Sequence, residues 1–156
     1  MIKQICIDPG PQESGIVWMH GENPEIASIM DNHAVLDILK HEENAPGELA
    51  IEMIASYGMP VGKDVFETCL WIGRFIQAWD GEHHLVYRKD VKMTLCGTTR
   101  AKDSNIRQAL IDRYGPGKDK AIGKKATPGP LYGVKKHAWA ALAVGVTRIE
   151  TREQKK

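Results

Sequence analysis

The sequence predicts a single α/β domain built on a mixed β-sheet with helices on both of its faces. Three observations support this prediction. The chain has 156 residues, of which 42% are hydrophobic, enough to bury one core. Three short apolar segments separated by turn residues open the chain, which is typical of an antiparallel meander. Strand-like and helix-like segments then alternate, which favours parallel strands for the rest of the sheet.

The first half of the chain contains the meander, one helix and a fourth strand. Residues 2–8 (IKQICID) alternate apolar and polar side chains and end at Asp8, before a Pro/Gly turn. The last strand of this half, LAIEMI, is apolar except for one carboxylate, Glu52. The predicted elements are strands at 2–8, 15–19 and 25–30, a helix at 33–42, a loop at 44–48 and a strand at 49–54.

The helix predicted over 64–79 has an unusually apolar surface. Asp64 and Glu67 have the spacing of a capping box in its first turn. Apolar side chains then cover most of its circumference, whereas a helix packed on one side of a sheet needs only one apolar stripe. The sequence therefore predicts a second buried face. A homodimer formed through this helix covers that face better than burial inside so small a monomer.

The second half of the chain begins with a strand at 84–88 and a helix at 103–115, with Asp103 or Ser104 as N-cap. A surface loop rich in Gly, Pro and Lys follows at 115–134. A last helix at 135–150 carries small residues that let it lie close against a sheet: Ala138, Ala140, Ala141, Ala143 and Gly145. We assign residues 1–150 to one domain and 151–156 to a frayed tail.

Composition excludes several classes of protein. Lys3 and a strand-like start replace the apolar stretch of a signal peptide. No apolar run approaches the about 18 residues of a membrane span. The three cysteines (Cys6, Cys69, Cys96) lack the close pairing of a zinc or redox motif. We therefore expect reduced thiols in a cytoplasm, with neither a membrane partner nor an organic cofactor.

Charge is distributed unevenly along the chain. The net charge is +1, yet residues 1–80 carry four Lys and Arg against thirteen Asp and Glu, and residues 81–156 carry seventeen against seven. Residues 113–136 alone contain seven basic residues and one acid. Either a basic face that contacts phosphates or a solvated lysine-rich loop explains this pattern.

Two carboxylates are placed where they could bind a cation. Asp8 ends the first strand, directly before its turn, and Glu52 lies within an apolar strand, where an unpaired carboxylate is costly. Carboxylates on adjacent strand ends can hold Mg²⁺ for phosphodiester hydrolysis. Taken singly, a turn-capping Asp8 and a Glu52 paired with a lysine are the simpler interpretations. Their combination with a basic second half favours the metal site.

Five segments, in chain order, resemble the RuvC-type Holliday-junction resolvases of the RNase H-like superfamily: ICIDPGPQESGIVW, LAIEMIASYG, VFETCLWIGRFIQAW, HLVYRKDVKMTLCGTTRAKDSNIRQAL and KKHAWAALAVGV. The phrase TPGPLYGVKKHAWAALAVGV is similar to a bacteriophage branch. The resemblance implies an RNase H-like sheet of three antiparallel strands followed by parallel strands. It also implies that the helix at 64–79 forms much of a dimer interface.

The resemblance assigns the metal ligands. Asp8 and Glu52 match the first two metal-binding carboxylates, and His137 falls where the last helix offers an Asp or His ligand. The family's next acid belongs one helical turn on, where this chain has Ala140. Asp103 is our candidate to replace it, with an N-cap role as the alternative, and Asp90 is a weaker candidate. Either Mg²⁺ or Mn²⁺, with two ions per site, is the implied cofactor.

The resemblance also suggests residues for contact with branched DNA. Tyr57 and Met59 follow Glu52, where the family inserts side chains at the junction crossover. The residues expected on the DNA backbone are Lys92, Arg100, Lys102, Lys135 and Lys136.

The implied function is a homodimeric endonuclease that resolves four-way junctions by paired symmetric nicks. Two alternatives remain open at this stage. One is another RNase H-like nuclease acting on flaps, forks or structured RNA. The other is a catalytically inactive junction-binding protein, which the absence of an acid at Ala140 favours.

Overall fold

The sheet has five strands in the order β3-β2-β1-β4-β5. The computed structural model describes residues 3–41 and 47–154. The strands are β1 Lys3–Asp8, β2 Glu13–His20, β3 Asn23–Asp31, β4 Gly47–Met53 and β5 Glu82–Tyr87. The helices within the described ranges are α1 Asn32–His41, α2 Lys63–Ala78, α3 Arg88–Cys96, α4 Asp103–Tyr114, α5 Lys118–Ala121 and α6 Ala138–Gln154.

The pairing of the strands confirms the predicted mixed sheet. The strands β1, β2 and β3 form an antiparallel meander, and β4 and β5 add to β1 in parallel. The predicted strand start at residue 2, the helix end at residue 42 and most of the predicted loop at 44–48 lie outside the described residues.

Alternation along the strands builds two cores, one on each face of the sheet. Cys6 and Ala50 point to the face covered by α3, α4 and α6, whereas Ile7 and Ile51 point to the face covered by α1 and α2. The predicted helices on both faces are therefore confirmed. Both cores are continuous with the strand ends that carry Asp8 and Glu52, so these ends are held by packing on both sides.

Helix α6 packs against the sheet at very short range. A Cβ on Gly145 would lie 2.4 Å from Cys6 Sγ and 2.6 Å from Met19 Sδ. Ala141 and Ala143 are also fully buried. The prediction that small residues let this helix lie close to the sheet is confirmed. It begins at Ala138, three residues later than predicted, and residues 151–154 of the predicted tail are helical.

Helix α3 was not predicted. Strand β5 ends at Tyr87, and the chain passes directly into a helix that Gly97 ends in the left-handed conformation, with φ of 74°. Val91 and Leu95 are buried at helical spacing and fix it to the core. Asp90 therefore lies in the first turn of a helix.

The predicted loop at 115–134 is more ordered than its composition indicates. It contains the short helix α5, and Leu131 N donates to Ala121 O at 2.8 Å. Ala121 and Leu131 are fully buried beneath it. Two apolar anchors thus hold a segment whose Gly, Pro and Lys content alone predicts no regular structure.

The predicted caps of two helices were wrong. Gly62, not Asp64, precedes α2, and no side chain caps this helix; Glu67 Oε1 instead lies 3.6 Å from Lys63 Nζ. Lys102 precedes α4, and its amide donates to Asn105 Oδ1 at 2.9 Å. Neither Asp103 nor Ser104 is therefore the N-cap, which leaves the Asp103 carboxylate available for other partners.

Helix α2 exposes part of its apolar surface. Thr68, Ile72 and Phe75 are buried against the sheet, whereas Phe66 is 62% and Leu70 70% exposed. The second apolar face expected from the sequence thus exists in the monomer and lies open.

All three cysteines are free, and burial raises the pKa of the Cys6 thiol to about 12. In the part of the chain that the structure describes, no helix combines the length and apolarity needed to cross a membrane.

Candidate active site

Asp8 and Glu52 lie side by side at the carboxyl ends of two parallel strands. Ile7 pairs with Ile51 in the β1–β4 register, and each carboxylate follows that pair by one residue. The Asp8 side chain is 16% and the Glu52 side chain 14% exposed. The two carboxyl groups are close enough for each to shift the pKa of the other. The fold therefore places two nearly buried acids side by side.

Burial sets the protonation behaviour of this pair. Loss of solvent raises the pKa of Asp8 and, more strongly, that of Glu52, which neighbouring Asp8 raises further to about 8. Arg88 opposes both shifts. Two buried carboxylates placed so close together share a proton or need a cation between them.

A buried hydrogen-bond network fixes the turn that follows Asp8. Asn32 Nδ2 donates to Gly10 O at 2.8 Å, Ser14 Oγ donates to Asn32 Oδ1 at 2.6 Å, and the Gly10 amide donates to Ser14 Oγ at 3.3 Å. Asn32 is fully buried. Sequence reasoning missed this support, because Asn32 lies outside the segments that resemble the resolvase family.

His137 reaches the site from the segment that leads into α6. Its Nδ1 lies 3.3 Å from Asp8 Oδ2, and its side chain is 68% exposed. Lys136, directly before it, adopts the left-handed conformation with φ of 51°. The preceding turn is closed by the Ala138 amide, which donates to Lys135 O at 3.0 Å. The structure thus brings together three of the four predicted ligands: Asp8, Glu52 and His137.

Asp103 reaches the same region through Arg88. One Arg88 nitrogen, Nη1, lies 3.8 Å from Glu52 Oε1, and Nη2 donates to Asp103 Oδ1. Arg88, Asp103 and His137 line a cavity of about 270 Å³ together with Ala140. Ala140 is the position where the resemblance expects an acid. It therefore lines the same cavity as Asp103, the first residue of α4. Sequence reasoning missed Arg88, whose only signal is a basic residue at a strand end.

A second cavity opens on the other side of Asp8. It has a volume of about 440 Å³ and is lined by Asp8, Glu13, Asp64 and His137, among others. Asp64, which the sequence suggested as a helix cap, is therefore an additional acid near the site.

The oxygen and imidazole donors of this site fit a hard divalent cation. Asp8, Glu52 and His137 could hold it, since carboxylate oxygens suit Mg²⁺ and Mn²⁺ and the imidazole suits Mn²⁺ as well. The raised pKa values of the two acids report the same requirement, because a bound cation would favour their charged forms. Asp103, whose Oδ1 accepts from Arg88, is a further oxygen donor beside the site.

The residues expected on DNA occupy several places around the site. Lys136 lines the cavity that Arg88 and His137 share, and Lys135 is exposed beside it. Tyr57 and Met59 are 64% and 68% exposed in the loop after β4, where Tyr57 has a φ of 51°. Arg100 and Lys102 are exposed between α3 and α4, and Lys92 is half-buried in α3.

Asp90 is not part of this group. It lines a different cavity, together with His84 and Arg148, that contains neither Asp8 nor Glu52 in its lining. This finding argues against Asp90 as the replacement acid.

A second cluster of possible metal ligands, Glu48, Glu82 and His84, lies at the amino end of β4 and β5. Glu48 is 4% exposed and already accepts hydrogen bonds from Arg148 Nε at 3.1 Å and Arg152 Nη1 at 2.6 Å. These guanidinium groups neutralise Glu48, so the cluster is better described as a buried ion-pair network than as a metal site.

Two solved structures of RuvC from Thermus thermophilus are similar to this chain. The first aligns with a TM-score of 0.68 and 16% identity, over 98% of this chain and 97% of that chain. The second, a complex of that protein with Holliday junction substrate, aligns with a TM-score of 0.62 and 15% identity, over 99% and 97%. The chain has the RuvC fold. The predicted RNase H-like class is therefore confirmed.

The RuvC fold is recognised here through structure alone. No protein-family model matches the sequence, and no curated protein matches it. Because the RuvC fold covers nearly the whole chain, the five described strands and the helices around them belong to one shared architecture.

Proposed function

We propose that this protein is a homodimeric, Mg²⁺- or Mn²⁺-dependent endonuclease that resolves four-way DNA junctions by paired symmetric nicks. The observation that carries the proposal is the placement of Asp8 and Glu52, two nearly buried carboxylates, at adjacent strand ends with His137 beside Asp8. The RuvC fold supports the choice of substrate, since one RuvC structure of the same fold is a complex with a Holliday junction.

Each proposed metal ligand has its own role. Asp8 and Glu52 hold the cation at the carboxyl edge of the sheet, His137 completes one side of the shell, and Asp103 supplies the acid that Ala140 lacks. Two bound ions would activate the attacking water and stabilise the leaving oxygen of the phosphodiester. The protein keeps its ligands in place through the packed strand ends and the buried Asn32 network.

The basic second half of the chain would bind the DNA backbone. Lys135 and Lys136 stand next to His137, and Lys102 stands next to Asp103, so phosphates bound there lie close to the proposed ligands. We assign Lys92 and Arg100 to the same role, with binding that weakens steeply as salt rises. Tyr57 and Met59, exposed after β4, would contact unpaired bases at the crossover.

A dimer through α2 would pair the two cuts. The exposed Phe66 and Leu70 provide an apolar face for a two-fold interface. In such a dimer each subunit cuts one strand, and the symmetry axis relates the two incisions. The free thiols suit the reducing cytoplasm in which we place the protein.

Cleavage of a labelled synthetic four-way junction tests this proposal. The assay contains Mg²⁺ or Mn²⁺, with linear duplex, flap and fork controls, and compares wild type with Asp8→Asn. We expect wild type to make paired symmetric nicks in the junction and none in the duplex. The Asp8→Asn variant should leave the junction uncut. Preferred cleavage of flaps or forks would instead indicate another RNase H-like nuclease.

One observation favours a second candidate function, an inactive junction-binding protein. Ala140 offers no oxygen where the resemblance expects an acid, and Asp103 is engaged by Arg88. In that case the junction would be bound tightly without metal and would stay intact in both metals.

A further inference from the structure

Arg88 occupies a position from which one side chain can reach both the sheet and α4. It is the first residue of α3 and directly follows Tyr87, which pairs with Met53 at the end of β4. Glu52 is the preceding residue of β4, paired with Val86. The Arg88 side chain therefore starts beside the strand end that carries the buried acid.

One guanidinium group is shared by two carboxylates from different elements. Its Nη1 lies 3.8 Å from Glu52 Oε1, and its Nη2 donates to Asp103 Oδ1. Glu52 is 14% exposed, whereas Asp103 is 87% exposed, so the group links a buried acid to a surface acid. The Arg88 guanidinium therefore bridges two carboxylates, as a bound metal ion would.

The other cations near the site do not duplicate this contact. His137 faces Asp8, and Lys136 lines the cavity without an ion pair to an acid among the residues that the structure describes. Arg107, in the same cavity, stacks on Trp139 with its guanidinium carbon 4.6 Å from the ring centroid. Within the described chain, Arg88 is the cation beside Glu52, and its charge favours the ionised carboxylate that burial disfavours.

We propose that Arg88 is an internal counter-cation that competes with the divalent ion for Glu52 and Asp103, and so lowers the affinity of the site for that ion. The inference rests on the proposed function only in taking Asp8 and Glu52 as metal ligands. A guanidinium and a divalent ion repel each other at this range, so metal binding requires Arg88 to turn away. The side chain is 30% exposed and has solvent to turn into.

A displaced Arg88 gains a different partner when DNA is present. Guanidinium groups bind phosphate through two parallel hydrogen bonds, and a backbone phosphate at the site would hold Arg88 away from Glu52. DNA and metal would then strengthen each other's binding, since coupling between two ligands is reciprocal. Arg88 would thus make the protein bind metal more tightly when DNA is bound than when DNA is absent.

Mn²⁺ binding to the full, metal-free chain without DNA tests the inference. Isothermal titration compares wild type with Arg88→Ala and with Arg88→Gln, which keeps much of the side-chain length without the charge. We expect the Kd for Mn²⁺ to fall about tenfold in both variants, as removal of one competing ion pair predicts. Arg107→Ala is the matched control, with the same change in net charge beside the same cavity, and its Kd should equal that of wild type.

An unchanged or higher Kd in both Arg88 variants, with cooperative thermal unfolding retained, would overturn the inference. An equal gain in Arg107→Ala would overturn it too, because general charge rather than the Glu52 contact would then explain the effect. The junction assay separates this result from the proposed function. Cleavage by wild type with no change in Kd refutes only the counter-cation, and tighter Mn²⁺ binding without any cleavage refutes only the nuclease.

Discussion

Gly15 and His137 meet without space for a side chain between them: a Cβ on Gly15 would lie 2.4 Å from the His137 carbonyl oxygen. Gly15 is also the β2 partner of Asp8 in the sheet. One glycine therefore lets the segment before α6 approach the strand pair closely enough for the imidazole to reach the Asp8 carboxylate.

Gly15→Ala should displace His137 from Asp8. We expect junction cleavage to fall by at least about tenfold, because a misplacement of about 1 Å can cost up to about 100-fold in rate. Initial rates at saturating Mn²⁺ measure the effect. Gly62→Ala is the control, since nothing lies within 4 Å of a Cβ there. Equal rates for Gly15→Ala and wild type would refute the positioning role.

The raised pKa of Glu52 makes the stability of the metal-free protein depend on pH. The folded chain holds the Glu52 proton up to about pH 8, whereas an exposed Glu loses it near its ordinary pKa of 4.5. Stability is therefore fully present below the lower value and is lost as pH rises through this window. Coupling to Asp8 broadens the transition.

Glu52→Gln removes this dependence. In EDTA we expect the variant to gain stability over wild type as pH rises from 5 to 8, by on the order of 2 kcal/mol. Urea unfolding at both pH values measures the difference. A difference between variant and wild type that does not change with pH would contradict the assignment.

Glu48 should be among the residues most important for stability. It is 4% exposed and its carboxylate is held by Arg148 and Arg152. Removing one partner of a buried ion pair leaves the others uncompensated and costs about 3 to 5 kcal/mol. Glu48→Gln should lower the free energy of unfolding in urea by an amount in this range.

Glu82→Gln provides the comparison for Glu48. The Glu82 side chain is 80% exposed, so its replacement should change the free energy of unfolding by less than about 0.5 kcal/mol. If Glu48→Gln has an equally small effect, the network is not structural. A Mn²⁺-dependent rise in melting temperature that wild type shows and Glu82→Gln loses would instead favour a metal at this end of β4.

Leu70→Asp should separate the proposed dimer. Leu70 is 70% exposed on α2, and a charge there would be buried unpaired in a two-fold interface. Light scattering after gel filtration should give the mass of a dimer for wild type and a monomer for the variant. Ile26→Asp is the control, since Ile26 is 56% exposed on the edge strand β3. A monomeric wild type would exclude this interface.

The sheet could be predicted from the sequence because its signals are local. Alternation within residues 3–8 and the turn after Asp8 are visible without any tertiary information, and an acid within the apolar strand LAIEMI stands out. The proximity of Asp8 and Glu52 then follows from parallel pairing of their strands. The alternation, the turn and the acid in LAIEMI are each visible within a few consecutive residues.

The rest depends on contacts between distant residues. Helix α3 has two buried side chains, Val91 and Leu95, too few to produce a clear helical pattern. The Arg88 bridge joins β4, α3 and α4, so no single segment indicates it. The Asp103 cap was predicted from preference at a helix start, whereas the structure uses Asn105 there and directs Asp103 to Arg88.

The anchoring of the segment between α4 and α6 has a consequence for how its lysines meet a partner. Lys124 and Thr127 exchange backbone hydrogen bonds at 3.2 and 3.0 Å, and buried Leu131 fastens the segment to the core. A charged segment that is already shaped loses little conformational entropy on binding. Its positive charge is thus preorganised, so an anionic polymer that bound there would contact a segment whose backbone is already held in place.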